Sequence, residues 1–211
     1  MINGNTEKRI ISAATKLFMQ QGPQNVTMRD IAAECGISPG NLTYYYRKKE
    51  DLFALVYQGL LLSEFERLSA GFNDDKEENP WVVFVAANYA HLKTVADSET
   101  GLSEYIFATR SPCARDAYIS ANSDLLYRCL ENTPYIQDRK KIRIASMVGC
   151  GGEFSALYTY QNKKDEYTFD DLIEPVFTAR MLLMDVPRDE IADIIARGKS
   201  KAALLPRTEI K

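Results

Sequence analysis

The chain has 211 residues, 45% hydrophobic and 26% charged, with a net charge of −3. That is the balance of a soluble globular protein; it excludes a wholly disordered chain, and the absence of any apolar run of about 18 residues excludes a membrane span. Four cysteines without a CxxC pair (Cys35, Cys113, Cys129, Cys150) and one histidine, His91, leave no recognisable metal spacing. No cofactor motif is present. Buried thiols in a reducing cytoplasm are expected, and the first residues lack the basic start and apolar run of a secretion signal.

The pattern predicts helices throughout. Ile10, Ala14, Leu17 and Phe18 follow helical spacing from about residue 6 to 21, and Gly22-Pro23 stops that helix. Thr27-Met28-Arg29-Asp30 is a capping box that opens a second helix, and Gly36 ends it after about two turns. Ser38 is a good N-cap for a third helix, Pro39 suits its first position, and Ile37 with Leu42 forms a hydrophobic staple. Two short helices joined by a tight glycine turn, over about 27–46, are a helix-turn-helix.

A long helix starts near Lys49, and a polar acidic stretch at 72–79 reads as a loop. Asn79-Pro80 opens another helix, followed by helices near 101–110, 114–131 and 138–160. Thr168-Phe169-Asp170-Asp171 is a second capping box, leading a helix to about 184 with Pro175 inside it. A final helix begins at Pro187, with Gly198 as its expected stop.

Charge is unevenly placed. Residues 1–52 hold seven basic and five acidic side chains; the remainder is net negative. With Leu42 set inward, Gly40, Thr43, Tyr44 and Arg47 lie on the opposite side of the third helix. In a helix-turn-helix the start of this helix meets base edges. Gly40 permits close approach, Asn41 and Thr43 offer hydrogen-bonding groups, and Tyr44 and Tyr45 reach towards phosphates. Thr27, Arg29 and Lys49 stand at helix starts as phosphate contacts, and Ser38 and Pro39 complete the candidate DNA-contact set. These local features also fit an ordinary solvated face with a partly buried tyrosine.

Thr27-Met28-Arg29-Asp30-Ile31-Ala32, Gly36-Ile37-Ser38-Pro39-Gly40-Asn41-Leu42 and Tyr45-Tyr46-Arg47-Lys48-Lys49-Glu50-Asp51-Leu52 together closely resemble the DNA-binding domain of the TetR family of regulators. The resemblance covers about the first quarter of the chain. It departs at Thr43, where the family usually has a phosphate-contacting tyrosine; the adjacent Tyr44 takes part of that role. The resemblance implies an all-α homodimer: residues 1–52 a three-helix domain that binds double-stranded DNA at a near-palindromic operator, residues 53–211 a helical effector-binding and dimerisation domain. It further implies a repressor released by a small apolar or aromatic effector.

The helix near 138–160 is apolar on almost every side in its middle, which predicts cover by its own domain and by a partner subunit. Val148, Gly152, Ala156, Leu172, Val176, Phe177 and Leu183 are the expected dimer contacts, although Gly149, Gly151 and Gly152 also fit a plain helix break. An effector pocket is expected among helices 80–160, with Trp81, Tyr89, His91, Tyr105, Phe107, Arg110, Tyr118 and Met147 as candidate lining. Two alternatives stay open or weaker: a DNA-binding regulator controlled by a partner protein, and a helical enzyme or carrier. Against catalysis, no phosphate loop, metal spacing or nucleophile set can be placed.

Overall fold

The computed structural model describes residues 4–70, 79–98, 105, 112–131, 133 and 138–205. Among them the chain forms nine α-helices and no strand. α1 is Gly4–Gln21, α2 Met28–Cys35, α3 Pro39–Tyr45 and α4 Lys49–Ala70. α5 is Pro80–Asp97, α6 Pro112–Leu130, α7 Arg139–Asn162, α8 Phe169–Leu183 and α9 Arg188–Ala202. The loop expected at 72–79 falls almost wholly outside the described residues. So does the helix expected near 101–110, of which only Tyr105 is described, in helical conformation.

Local chemistry explains the first three helices. The Thr27 hydroxyl accepts from the Asp30 N–H while the Asp30 carboxylate accepts from the Thr27 N–H, closing the capping box. Gly36 ends α2 in the left-handed region, φ 66°, so that its own N–H and that of Ile37 reach the Ala33 and Ala32 carbonyls. Ser38 then accepts from the Asn41 N–H and starts α3. Arg9 of α1 donates to the Cys35 carbonyl at 2.5 Å, covering an acceptor at the negative end of α2.

Two apolar cores follow. The first gathers Ile10, Ala14, Phe18, Ile31, Leu42 and Tyr46 with Leu52, Phe53 and Val56 of α4. The second gathers Leu61 and Phe65 of α4 with the inner faces of α5 to α9. The expected division at 52/53 thus falls inside α4, which serves both cores. Ala114 of α6 is fully buried in the first core, and the neighbouring Cys113 thiol donates to Asp51 at 3.5 Å, so α6 also touches the first unit.

In the second unit α5 packs along α9, α4 along α6, and α7 along both α6 and α8. Gly198 is not a stop: α9 runs on to Ala202. A Cβ at Gly198 would lie 2.5 Å from Val85 Cγ1, so the glycine lets α9 approach α5 closely. α8 continues through Pro175, whose ring is exposed.

Candidate nucleic-acid interface and buried polar cluster

Leu42, with no exposed surface, anchors α3 on the first core. Helical geometry then presents Pro39, Gly40, Asn41, Thr43 and Tyr44 outward, all exposed, with Tyr44 at 77%. No atom lies within 4 Å of a Cβ placed on Gly40, so the helix start is open to close approach. The Tyr45 ring is half-buried and meets Tyr44 edge-on at 5.6 Å. Arg29, Arg47 and Lys48 are exposed and form no salt bridge among the described residues. The expected set from Thr27 to Tyr45 is therefore grouped around α3 and the start of α2.

Four of these groups have internal work, the Ser38 hydroxyl among them as the cap of α3. The Thr27 hydroxyl is held in the cap. The Thr43 hydroxyl donates back to the Pro39 carbonyl at 2.9 Å, which commits it to its own helix. The Lys49 ammonium donates to the Pro23 and Val26 carbonyls at 2.7 and 2.8 Å, bracing the α1–α2 turn against the start of α4. Sequence spacing gave no sign of that bracing, since its partners are more than 20 residues away. Tyr46 donates to Glu7, and burial followed by that carboxylate pushes its hydroxyl up to about 12.

The second unit buries Asn88, His91, Asn122, Ser146, Glu153 and Arg180. On α7, Ser146, Gly149, Cys150 and Glu153 recur at helical spacing and form one inner face. Arg180 enters from α8 at a core register position beside Phe177 and Met181. A Cβ on Gly149 would lie 2.0 Å from the guanidinium, so the missing side chain is the space that Arg180 occupies. Arg180 Nη2 pairs with Glu153 Oε1 at 2.9 Å, and Glu153 Oε2 accepts from the Tyr118 hydroxyl at 3.0 Å. The Tyr118 and Tyr105 hydroxyls are driven well above their ordinary range by burial and then by Glu153.

Rings surround this pair. Tyr118 meets Tyr105 at 5.6 Å and Phe154 at 5.3 Å, and Tyr105 meets Phe154 at 5.0 Å. His91 Nδ1 lies 2.7 Å from Glu64 Oε2. Burial opposes a charge on His91, but Glu64 and Glu153 outweigh it and raise the imidazole above its usual range. Phe18, Phe53, Tyr57 and Tyr118 follow one another at 5.5, 5.4 and 6.3 Å, a line of rings from the first core to the cluster.

Of the expected pocket residues, His91, Tyr105 and Tyr118 meet at this cluster. Trp81 is fully buried in the same core against Phe84, whose ring lies 5.2 Å from the Arg180 guanidinium. Tyr89 lies at another edge, donating to Asp170. Met147 is on the outer side of α7, half-exposed, and Phe107 and Arg110 lie outside the described residues. Sequence reading missed Ser146, Glu153 and Arg180; the usable signal was a charge at a core register position on two adjacent helices.

The expected dimer contacts divide as well. Val148 and Leu183 are exposed, beside Ile144, Met147 and Leu182. Ala156 and Phe177 are buried in the protomer's own core. Gly152 faces α8, where a Cβ would stand 2.9 Å from Val176, so this pair is an internal contact. Leu172 is half-buried. The glycines of α7 do not break it: the helix is continuous to Asn162.

Comparison with known proteins agrees with this architecture. The chain is 30% identical over 103 residues to the HTH-type transcriptional regulator UidR of Escherichia coli (strain K12), a match over 49% of this chain and 50% of that one. The chain thus spans about half the length of the curated relatives it matches. Among solved structures it is similar to RolR in complex with resorcinol, at a TM-score of 0.68, 19% identity and coverage of 99% and 97%. It is also similar to Thermus thermophilus FadR in complex with lauroyl-CoA, at a TM-score of 0.55, 23% identity and coverage of 84% and 92%. These likenesses concern the fold. A family model for bacterial regulatory proteins of the tetR family matches residues 10–56, the span that carries α1, both helices of the helix-turn-helix and the start of α4. The helix-turn-helix unit of this chain is thus similar to that of the tetR family of bacterial regulatory proteins.

Proposed function

We propose that this protein is a DNA-binding transcriptional regulator, a ligand-responsive repressor that acts as a homodimer in the cytoplasm. The observation that carries the reading is the exposed face of α3: an open glycine, Asn41 and Tyr44, flanked by Arg29, Arg47 and Lys48 with no salt bridge among the described residues. Such a face suits a major groove, with the basic groups on phosphates and the helix start on base edges. The described helices include none long and apolar enough to cross a membrane.

Dimerisation is supported by apolar side chains left on the outer faces of α7 and α8. Ile144, Met147, Val148 and Tyr158 recur along α7, and Leu182 and Leu183 lie near the end of α8. A patch of that kind on a helix hairpin favours association through a self-complementary surface. The effector part is supported by buried polar groups in the second unit and by the line of rings joining them to the first core. RolR and FadR, of similar fold, were solved with small molecules bound.

The test is selection of fragments of the source genome by the purified protein. The expected product is an inverted repeat with half-sites about 10 bp, or a multiple of that, apart; recovery of no shared repeat sinks the reading. Arg29→Ala is expected to weaken binding to all sequences and lower the salt slope by about one phosphate. Lys49→Met, in contrast, should lower stability with little change of slope, because its ammonium braces a turn. A lost unit of slope in that variant would make Lys49 a phosphate contact.

A further inference from the structure

We propose that the Arg180 cluster is the effector site and that its ligand is a neutral phenol. The proposal rests on the ligand-responsive reading above and adds the place and the chemistry.

Among the described residues, Arg180 Nε and Nη1, Ser146 Oγ, His91 Nε2 and Asn122 Oδ1 are buried with no hydrogen-bond partner. A buried donor or acceptor without a partner costs stability, and native chains seldom keep several together. Here three helices bring them to one region. His91 comes from α5, Ser146 from α7 and Arg180 from α8, and the Gly149 gap holds the guanidinium in place. Sites that break the rules of packing are where function is expected.

The groups define what would satisfy them. Arg180 is a donor only, so the ligand must offer an oxygen acceptor. Ser146 takes either role. The Arg180 charge is already matched by Glu153, and Glu64 is engaged with His91 Nδ1. A carboxylate ligand would leave a buried negative charge uncompensated, and a cation would find both carboxylates engaged, so a neutral molecule is favoured. Tyr105, Tyr118 and Phe154 lie at mutual ring distances of 5.0–5.6 Å, in edge-on and tilted arrangements that extend readily to another planar ring. A neutral planar ring bearing a hydroxyl meets all of these conditions.

Calorimetric titration of the full-length protein with phenol, cyclohexanol and benzoate tests the proposal, with cyclohexanol probing the ring and benzoate the charge. Phenol is expected to bind at least tenfold more tightly than either. Ser146→Ala should weaken phenol about tenfold while the thermal midpoint stays or rises, because the deleted hydroxyl has no partner to lose. Arg180→Lys should weaken it further, and Ser146→Ala carries the test if that variant unfolds. Equal binding of benzoate or cyclohexanol, or phenol binding indifferent to Ser146→Ala, overturns the proposal. A small molecule of another class that binds and releases the selected DNA repeat overturns the phenol assignment while leaving the ligand-responsive reading standing. DNA binding that no ligand alters overturns both.

Discussion

Around α1 to α3 the interior is apolar: Ile10, Ala14, Phe18, Ile31 and Leu42 meet with no buried charge among the described residues, and the buried Tyr46 donates its hydroxyl hydrogen bond to Glu7. In the second unit, six polar or charged side chains are buried among the described residues, and both members of the Arg180–Glu153 pair are at most 1% exposed. The first unit is stabilised by burial and by caps, so every local preference agrees with the fold. The second forgoes stability at its centre, since a well-packed apolar replacement for a buried pair is often neutral or better. The contrast separates a first unit built on an apolar interior from a second that buries a polar cluster, with α4 and α6 touching both.

Breaking the buried pair should have the largest effect. Glu153→Ala leaves the Arg180 charge stranded and is expected to cost about 3–5 kcal/mol in denaturant unfolding. Replacing both residues by methionine should recover most of that loss. A double variant as weak as the single one would mean that the pair itself stabilises the bundle, and the contrast between the two interiors would vanish.

On the other side, Leu42→Ala removes a fully buried anchor of α3 and should cost about 2–5 kcal/mol. Its signature is loss of DNA binding with phenol binding kept. If phenol binding is lost with it, the two units do not behave as separate cores.

Glycines sharpen the comparison at a smaller scale. Gly149→Ala would drive a methyl into the guanidinium and should destabilise by about 1–3 kcal/mol. Gly59→Ala, on α4 with nothing within 4 Å of its Cβ, should stabilise by about 1 kcal/mol through helix propensity. Thermal melts of the two variants should move in opposite directions; a shared direction removes the argument that Gly149 is there for Arg180.

The smallest effects are those of pH, and they fall at opposite ends for the two units. The His91 imidazole is raised in the folded state, so its contribution is complete below about 6.5 and is lost as pH rises through the folded value. His91→Gln should flatten that alkaline decline. Asp30 is lowered, first by the Thr27 side chain and then by the Thr27 N–H, so its contribution is present above 3.8 and lost as pH falls through the folded value. Unfolding curves over both ranges check the signs.

Much of the first unit was legible because its determinants are local. The capping box at Thr27 and Asp30, the Ser38 cap, the Gly36 turn and the Leu42 anchor all lie within a few residues of what they control. The same holds for Thr168 and Asp171 at the start of α8. Where determinants act at a distance, the reading was incomplete. Gly198 resembles a helix stop until Val85 stands against it, and the bracing of the Pro23 and Val26 carbonyls by the Lys49 ammonium left no mark in the spacing.

By itself the sequence determined most of the described helices, the Thr27, Ser38 and Thr168 caps, the helix-turn-helix and the outward face of α3, because hydrogen bonds within one turn and a 3.6-residue period decide these. Only the tertiary structure decided that Gly149 is a berth for Arg180, that Gly152 faces Val176, and that Ser146, His91 and Arg180 share one interior. Those depend on which helix faces meet. Packing chooses them from among surfaces whose residues lie far apart along the chain.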